Sequence, residues 1–221
     1  MKQYAAIFDM DGTLVDNNPY HFKTWKALFE QYNRVEVTPE LYNEQLSGVP
    51  GMVIMRNFFG DDYTEEQMTA MFADKTRNYK EAYAPYVAPV NGLERFLTEL
   101  KNAGVKLAVA SSATEANIEF ILSKLPVKHL FDTVVDGPRV SKAKPNPQIF
   151  LKAAEDLGIR PENCVVFEDS LSGVKAGNAA GMKVVGITTS HTGAELQPVD
   201  RVITDYTEIT ERDIAALFEK K

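Results

Sequence analysis

The chain lacks most of what would staple it, thread it through a membrane or fix it to a polyanion. Cys164 is its only cysteine in 221 residues, so no disulfide can close within the chain. It lies in the apolar run Cys164-Val165-Val166-Phe167, where a buried, inert thiol is expected rather than a nucleophile. Positive charge is in deficit: 24 Lys and Arg stand against 31 Asp and Glu, a net charge of −7, which argues against a nucleic-acid-binding surface. No uncharged apolar run approaches the ~18–20 residues of a membrane span, and no signal-peptide pattern is visible, so no membrane contact and a reducing cytoplasm are expected. Internal repeats and low-complexity segments are missing too. What remains, 44% apolar and 25% charged residues, is ordinary for a globular protein with one large domain, or a core plus a smaller insert.

Short apolar, β-rich segments recur at 4–8, 106–110, 133–135, 164–167, 184–187 and 202–203. Helical patterns lie between them. Residues 92–103 place Leu93, Phe96, Leu97 and Leu100 on one face, and 117–125 do the same with Ile118, Ile121, Leu122 and Leu125. Further helices are expected at 147–157, 170–180 and 208–218. Strand and helix in alternation mean right-handed crossovers, hence an α/β fold with a doubly wound parallel sheet covered on both faces. Residues 17–84 break the alternation with helical stretches alone, at 21–32, 39–46, 52–58 and 64–83. Thr38-Pro39 and the Thr64/Gln67 pair read as helix starts. The expected division is therefore a catalytic core of 1–16 and 85–221, with an α-helical cap of 17–84 inserted after the first strand as a lid.

The first strand runs into Asp9-Met10-Asp11-Gly12-Thr13, two carboxylates at a strand's carboxyl end, where open α/β sheets bind ligands. Taken alone this is compatible with an acidic turn, a calcium loop or a catalytic pair. Three later strands each add a group at the same edge. Ser111-Ser112 follows the second strand, with a helix expected from about residue 113 and its amides facing the same region. Lys144, in a proline-stiffened loop, follows the third, and Glu168-Asp169 follow the fourth. Singly these are a turn hydroxyl, a loop charge and helix N-terminal acids. Together they describe a cleft that holds a cation and an anion. Asp9, Asp169 and Glu168 are the candidate Mg²⁺ ligands, because clustered carboxylates repel unless a cation neutralises them. Ser111, Ser112 and Lys144 are the candidate phosphate binders; one carboxylate would attack phosphorus and a second handle the proton of the leaving or entering oxygen.

Asp9-x-Asp11-Gly-Thr, Ser111, Lys144-Pro145 and Glu168-Asp169, in this order, resemble the four motifs of the haloacid dehalogenase superfamily, and the match spans the chain. The resemblance implies a Rossmann-like core, Mg²⁺, Asp9 as the nucleophile that carries an aspartyl-phosphate, Asp11 as the general acid/base, and a main-chain carbonyl of Asp11 on the metal. A second acid at Asp11 points to phosphoryl transfer rather than dehalogenation, and a small helical cap after the first motif is similar to the β-phosphoglucomutase-like branch. In that branch His21 stands near the hinge, Trp25 lines the sugar site, the run 43–49 with Gly48 belongs to the cap entrance, and Lys75 corresponds to a phosphate-binding lysine. Trp25 also has a plain reading as cap core, on one stripe with Leu28, Phe29 and Tyr32.

Three departures stand out. Ser47 replaces a lysine, Glu115 replaces an asparagine, and Gly51 stands where the branch carries the arginine that grips a second phosphate. Ser112 and Glu115 have the spacing of a capping box. Arg56 is a further candidate cation, and an arginine introduced at Gly51 is expected to tighten bisphosphate binding. Without the bidentate fork, distal phosphate recognition is poor. The expected function is thus an Mg²⁺-dependent phosphohydrolase acting on small phosphate esters, sugar phosphates foremost, as a monomer with a small phosphorylated metabolite as partner. The alternative is a β-phosphoglucomutase interconverting β-glucose 1-phosphate and glucose 6-phosphate.

Overall fold

A computed structural model describes residues 3–219 of the chain. Six parallel strands form one sheet: β1 (Ala5–Phe8), β2 (Lys106–Ala110), β3 (Thr133–Val135), β4 (Cys164–Glu168), β5 (Lys183–Ile187) and β6 (Arg201–Ile203). Their order is β3-β2-β1-β4-β5-β6, so the sheet reverses direction of growth between β1 and β4. Ile7 pairs with Ala108 on one side and Val166 on the other. All four residues of β1 and all five of β4 are buried, as expected for central strands covered on both faces.

Side-chain alternation assigns the faces. Ala5, Ile7, Ala108, Ala110, Cys164 and Val166 point to one side, where Phe150, Ala153, Ala176 and Ala180 cover them. On the other side Phe8 stacks on Phe167 with centroids 4.5 Å apart, and Phe96 and Tyr206 pack on that pair.

The chain separates into two compact units, one running to Asp16 and resuming at Ala88, the other comprising Asn17–Val87. The second unit is helical: α1 (Asn18–Gln31), α2 (Pro39–Leu41, continued by a π-helical turn at Tyr42–Leu46), α3 (Gly51–Phe59) and α4 (Glu65–Tyr83). Its core is Trp25, Leu28, Phe29, Ile54, Met55, Phe59, Met68 and Met71 with their neighbours. The expected caps form: Thr38 Oγ1 accepts from Leu41 N, and Thr64 and Gln67 make a reciprocal capping box. The expected junction at 84/85 falls three residues short of the unit's edge, because Ala84–Tyr86 continue α4 as a 3₁₀ turn and Tyr86 stacks on Tyr20.

The first unit adds α5 (Leu93–Asn102), α6 (Glu115–Leu122), α7 (Gln148–Leu157), α8 (Leu171–Ala179) and α9 (Glu211–Ala216). α7 and α8 lie on the face of Ile7 and Val166, and α5 on the face of Phe8 and Phe167. No helix among the described residues is long and apolar enough to cross a membrane.

Candidate active site

The strand ladder continues one residue past three strands and fixes the groups that follow. Asp9 N donates to Phe167 O at 3.0 Å, Ser111 N to Val135 O at 3.0 Å and Thr188 N to Ile203 O at 3.0 Å. Gly12 then turns the chain with φ of 78°, and its amide donates to Val15 O at 2.8 Å. The sheet thereby presents Asp9, Ser111 and the β5 loop side by side along its carboxyl edge.

Lys144 reaches this edge from the loop after β3 and is the pivot of the site. Its Nζ lies 2.5 Å from Asp9 Oδ1 and 2.6 Å from Glu168 Oε1, with Ala110 O at 3.4 Å. The side chain is buried, its ammonium 4.8 Å from the centroid of the Phe150 ring. Burial works against the charge, but Asp9 and Glu168 outweigh it and hold the ammonium above its ordinary pKa. Asp9 is pushed well above the usual carboxylate range by burial; Lys144 opposes this, and Glu168, Asp169 and Asp11 add to it.

Glu168, the other acid expected at the metal, bonds first to its neighbours in the fold. It is the last residue of β4, on the face covered by α7 and α8, and both its oxygens have partners. Oε1 accepts from Lys144, and Oε2 accepts from Ser170 N and Ser170 Oγ, each at 2.9 Å. It therefore orients Lys144. Asp169, one residue on, faces the other way. Its Oδ1 accepts from Thr13 Oγ1 at 3.3 Å, and its Oδ2 accepts from Ser190 Oγ.

Among the described residues no three acidic, imidazole or thiol side chains converge as a ready-made metal cage. The donor chemistry nonetheless fits Mg²⁺, which takes few protein oxygens and keeps water and phosphate. Asp9, Asp11 and Asp169 are hard oxygen donors near enough for Asp169 and Asp11 to raise Asp9's pKa, a repulsion that a divalent ion relieves.

Ser111 is buried at the end of β2, but the amides expected beside it are arranged differently. Ala113 N donates to Ser111 Oγ itself at 3.1 Å, so a turn intervenes and α6 starts at Glu115 with Thr114 as N-cap. The expected Ser112/Glu115 capping box is absent, since no side chain caps this helix. Ser112 is half-buried in that turn.

In the helical unit His21, Trp25 and Lys75 do come together. Lys75 Nζ lies 3.0 Å from His21 Nδ1 and 4.6 Å from the centroid of the Trp25 ring, while His21 stacks on Tyr79 at 4.0 Å. Trp25 is part of the unit's apolar core and stacks on Phe72. Gly48 turns the chain before α3 with φ of 71°. Two further positions of interest have close neighbours. Arg56 is exposed and forms a bidentate pair with Glu65, at 2.6 and 3.1 Å. A Cβ on Gly51 would stand 2.1 Å from Phe72 Cζ, so an arginine there must first displace that ring.

Several site residues have no motif signal of their own. Ser170 bonds Glu168, Gly173 leaves room for it, Tyr206 donates to Thr13 O at 3.2 Å, and Thr189, Ser190 and His191 reach back from the loop after β5. Their only sequence cue is position just beyond a strand or in the first turn of a helix.

Comparison with known proteins agrees with this geometry. Residues 6–187 match the family model of haloacid dehalogenase-like hydrolases. The chain is 33% identical over 190 residues to a β-phosphoglucomutase of Bacillus subtilis, covering 83% of this chain and 82% of the other. It is 33% identical over 191 residues to a phosphorylated carbohydrates phosphatase of Thermotoga maritima, covering 84% and 86%. The crystal structure of a β-phosphoglucomutase from Clostridium difficile superimposes with a TM-score of 0.84 at 25% identity, over 98% of this chain and 97% of that one. With the strand-end acids, the buried lysine and the inserted helical unit, these matches make the chain an enzyme of the haloacid dehalogenase-like hydrolase family, in its β-phosphoglucomutase-like branch.

Proposed function

We propose that this enzyme is an Mg²⁺-dependent phosphohydrolase that cleaves small phosphate esters, sugar phosphates foremost, by way of a phosphoryl group carried on Asp9. The observation that carries the reading is the buried Lys144 ammonium pinned between Asp9 and Glu168 at the sheet's switch point. It aims one oxygen of a strand-end carboxylate and offers a fixed positive charge to phosphoryl oxygens. Asp9 attacks phosphorus in line, so an Asp9 O–P bond forms as the ester P–O bond breaks. Asp11 gives its proton to the departing alkoxide, then takes one from the water that hydrolyses the acyl phosphate and releases inorganic phosphate. Ser111, Ser112 and Lys144 hold the phosphoryl oxygens. Asp9, Asp11 and Asp169, with Glu168 beside them, would hold Mg²⁺, which when bound neutralises the clustered carboxylates and the phosphoryl charge. The helical unit follows directly on the strand that carries Asp9, and we assign it the role of a cap that selects the leaving group.

The relatives' names include both a mutase and a phosphatase, so the choice rests on the helical unit. A mutase must grip a second phosphate while the phosphoryl-enzyme waits, and it must exclude water. Phe72 fills the space beside Gly51, Arg56 is paired with Glu65, and Lys75 is held by His21 and Trp25. These features favour hydrolysis. The test is incubation with β-glucose 1-phosphate, with and without glucose 1,6-bisphosphate, while both free phosphate and glucose 6-phosphate are followed. Phosphate release that does not depend on bisphosphate is expected. Rapid glucose 6-phosphate formation with negligible free phosphate would establish the mutase instead.

A further inference from the structure

The loop after β5 carries three consecutive polar side chains that all turn back toward the strand-end acids. Thr189 Oγ1 donates to Gly12 O, Ser190 Oγ donates to Asp169 Oδ2, and His191 Nδ1 lies 3.1 Å from Asp169 O. A carbonyl only accepts, so His191 Nδ1 carries the hydrogen. Thr13 Oγ1 holds the other Asp169 oxygen. The carboxylate is thus gripped at both oxygens by hydroxyls from two different loops, and its peptide by an imidazole. His191 is only 7% exposed, and its Nε2 is buried with no partner among the described residues. A buried nitrogen without a partner is costly, and such a cost is met where a particular geometry is enforced.

We propose that Ser190 and His191 are positioning residues that lock Asp169 in the orientation that receives the cation, making the β5 loop part of the metal-binding apparatus. This rests on the reading of Asp169 as an Mg²⁺ ligand. Outer partners of this kind fix the rotation of a ligating carboxylate and raise its affinity by pre-organisation. The opposite arrangement, in which Asp169 merely staples the loop, would show in loop stability rather than in affinity for the metal.

The experiment is calorimetric titration of Mg²⁺ into the full chain, with melting in EDTA as the control for folding. Ser190→Ala should weaken Mg²⁺ binding by about 10- to 100-fold, the usual effect of removing an outer-shell partner. Ser190→Thr should restore most of that loss, and the metal-free melting temperature should stay at the wild-type value. His191→Asn, which keeps a donor near the Nδ1 position, should bind more tightly than His191→Leu. In turnover, the Mg²⁺ concentration for half-activation should rise while KM for p-nitrophenyl phosphate at saturating Mg²⁺ does not. Wild-type Mg²⁺ affinity in Ser190→Ala overturns the assignment, as does affinity lost only together with metal-free stability. A wild-type chain that binds no Mg²⁺ overturns the metal reading of Asp169 itself, and the assignment with it.

Discussion

Two buried groups, Lys144 beside the sheet's carboxyl edge and Cys164 inside β4, respond to burial differently, and the difference lies in their neighbours. Lys144 keeps its charge because two carboxylates stand within 2.6 Å of its nitrogen. Removing either would leave the buried ammonium with one carboxylate in place of two. Cys164, at the amino end of β4, has no cation acting on it among the described residues; its Sγ lies 3.4 Å from Arg160 O. Burial first, and the charge of Glu162 second, push its thiol up to about 12. Alkylation requires the thiolate, so iodoacetamide at about pH 8.5 should leave the folded chain unmodified and label it promptly in denaturant. Labelling of the native protein at the rate of a model thiol, measured by mass, would contradict this environment. The sign of the linkage follows. The folded thiol keeps its proton where the unfolded one, with a pKa near 8.5, begins to lose it, so this contribution to stability is full below about pH 8.5 and declines as pH rises toward 12.

The first turn of α8 shows what an element contributes beyond its own propensity. Gly173 N donates to the Ser170 cap, and a Cβ on Gly173 would stand 1.8 Å from Glu168 Oε1. Helix propensity alone favours Gly173→Ala by about 1 kcal/mol. The contact argues the reverse: overpacking should cost about 1–3 kcal/mol and push Glu168 off Lys144, lowering phosphate release as well. Urea unfolding with a parallel turnover assay decides, and a stabilised, fully active Gly173→Ala protein would refute the packing argument. Much of this architecture was legible in the chain itself. Ala5–Phe8 and Cys164–Phe167 read as buried parallel strands because both their faces are apolar, and the acids after them fell at the expected edge. The bonds of Glu168 to Lys144 and Ser170 were not legible, because adjacency to Asp169 says nothing about direction. Period-two alternation sets Glu168 on the face of Val166, toward α8, and away from Asp169. The start of α6 was missed by two residues because the Ser111 hydroxyl captures an amide that helix periodicity would have claimed. Contacts such as Ser190 to Asp169, or Phe72 filling the space at Gly51, join residues about 20 positions apart, with no periodic signal between them.

At the scale of the whole molecule, a chain of net charge −7 also gathers Asp9, Asp11, Glu168 and Asp169 at one sheet edge, with Lys144 the cation bonded to two of them. Such a fold is held back by its own field, and a ligand that binds only the folded state and relieves that repulsion must stabilise it. At a free Mg²⁺ concentration 100 times its Kd the gain is about 2.7 kcal/mol. For a chain of this length that corresponds to a rise in Tm of about 5–10 °C. The rise should appear in the transition of the α/β unit, which holds these acids, and not in any separate transition of the helical unit. Screening by salt is the competing cause, so NaCl at matched ionic strength is the control; it should reproduce only a small part of the shift. Asp169→Asn should abolish the Mg²⁺-specific part, and EDTA should return the wild type to its metal-free Tm and stop turnover. An equal rise in NaCl, or undiminished phosphate release in excess EDTA, would remove the cation from the chemistry and leave Lys144 to neutralise the site alone.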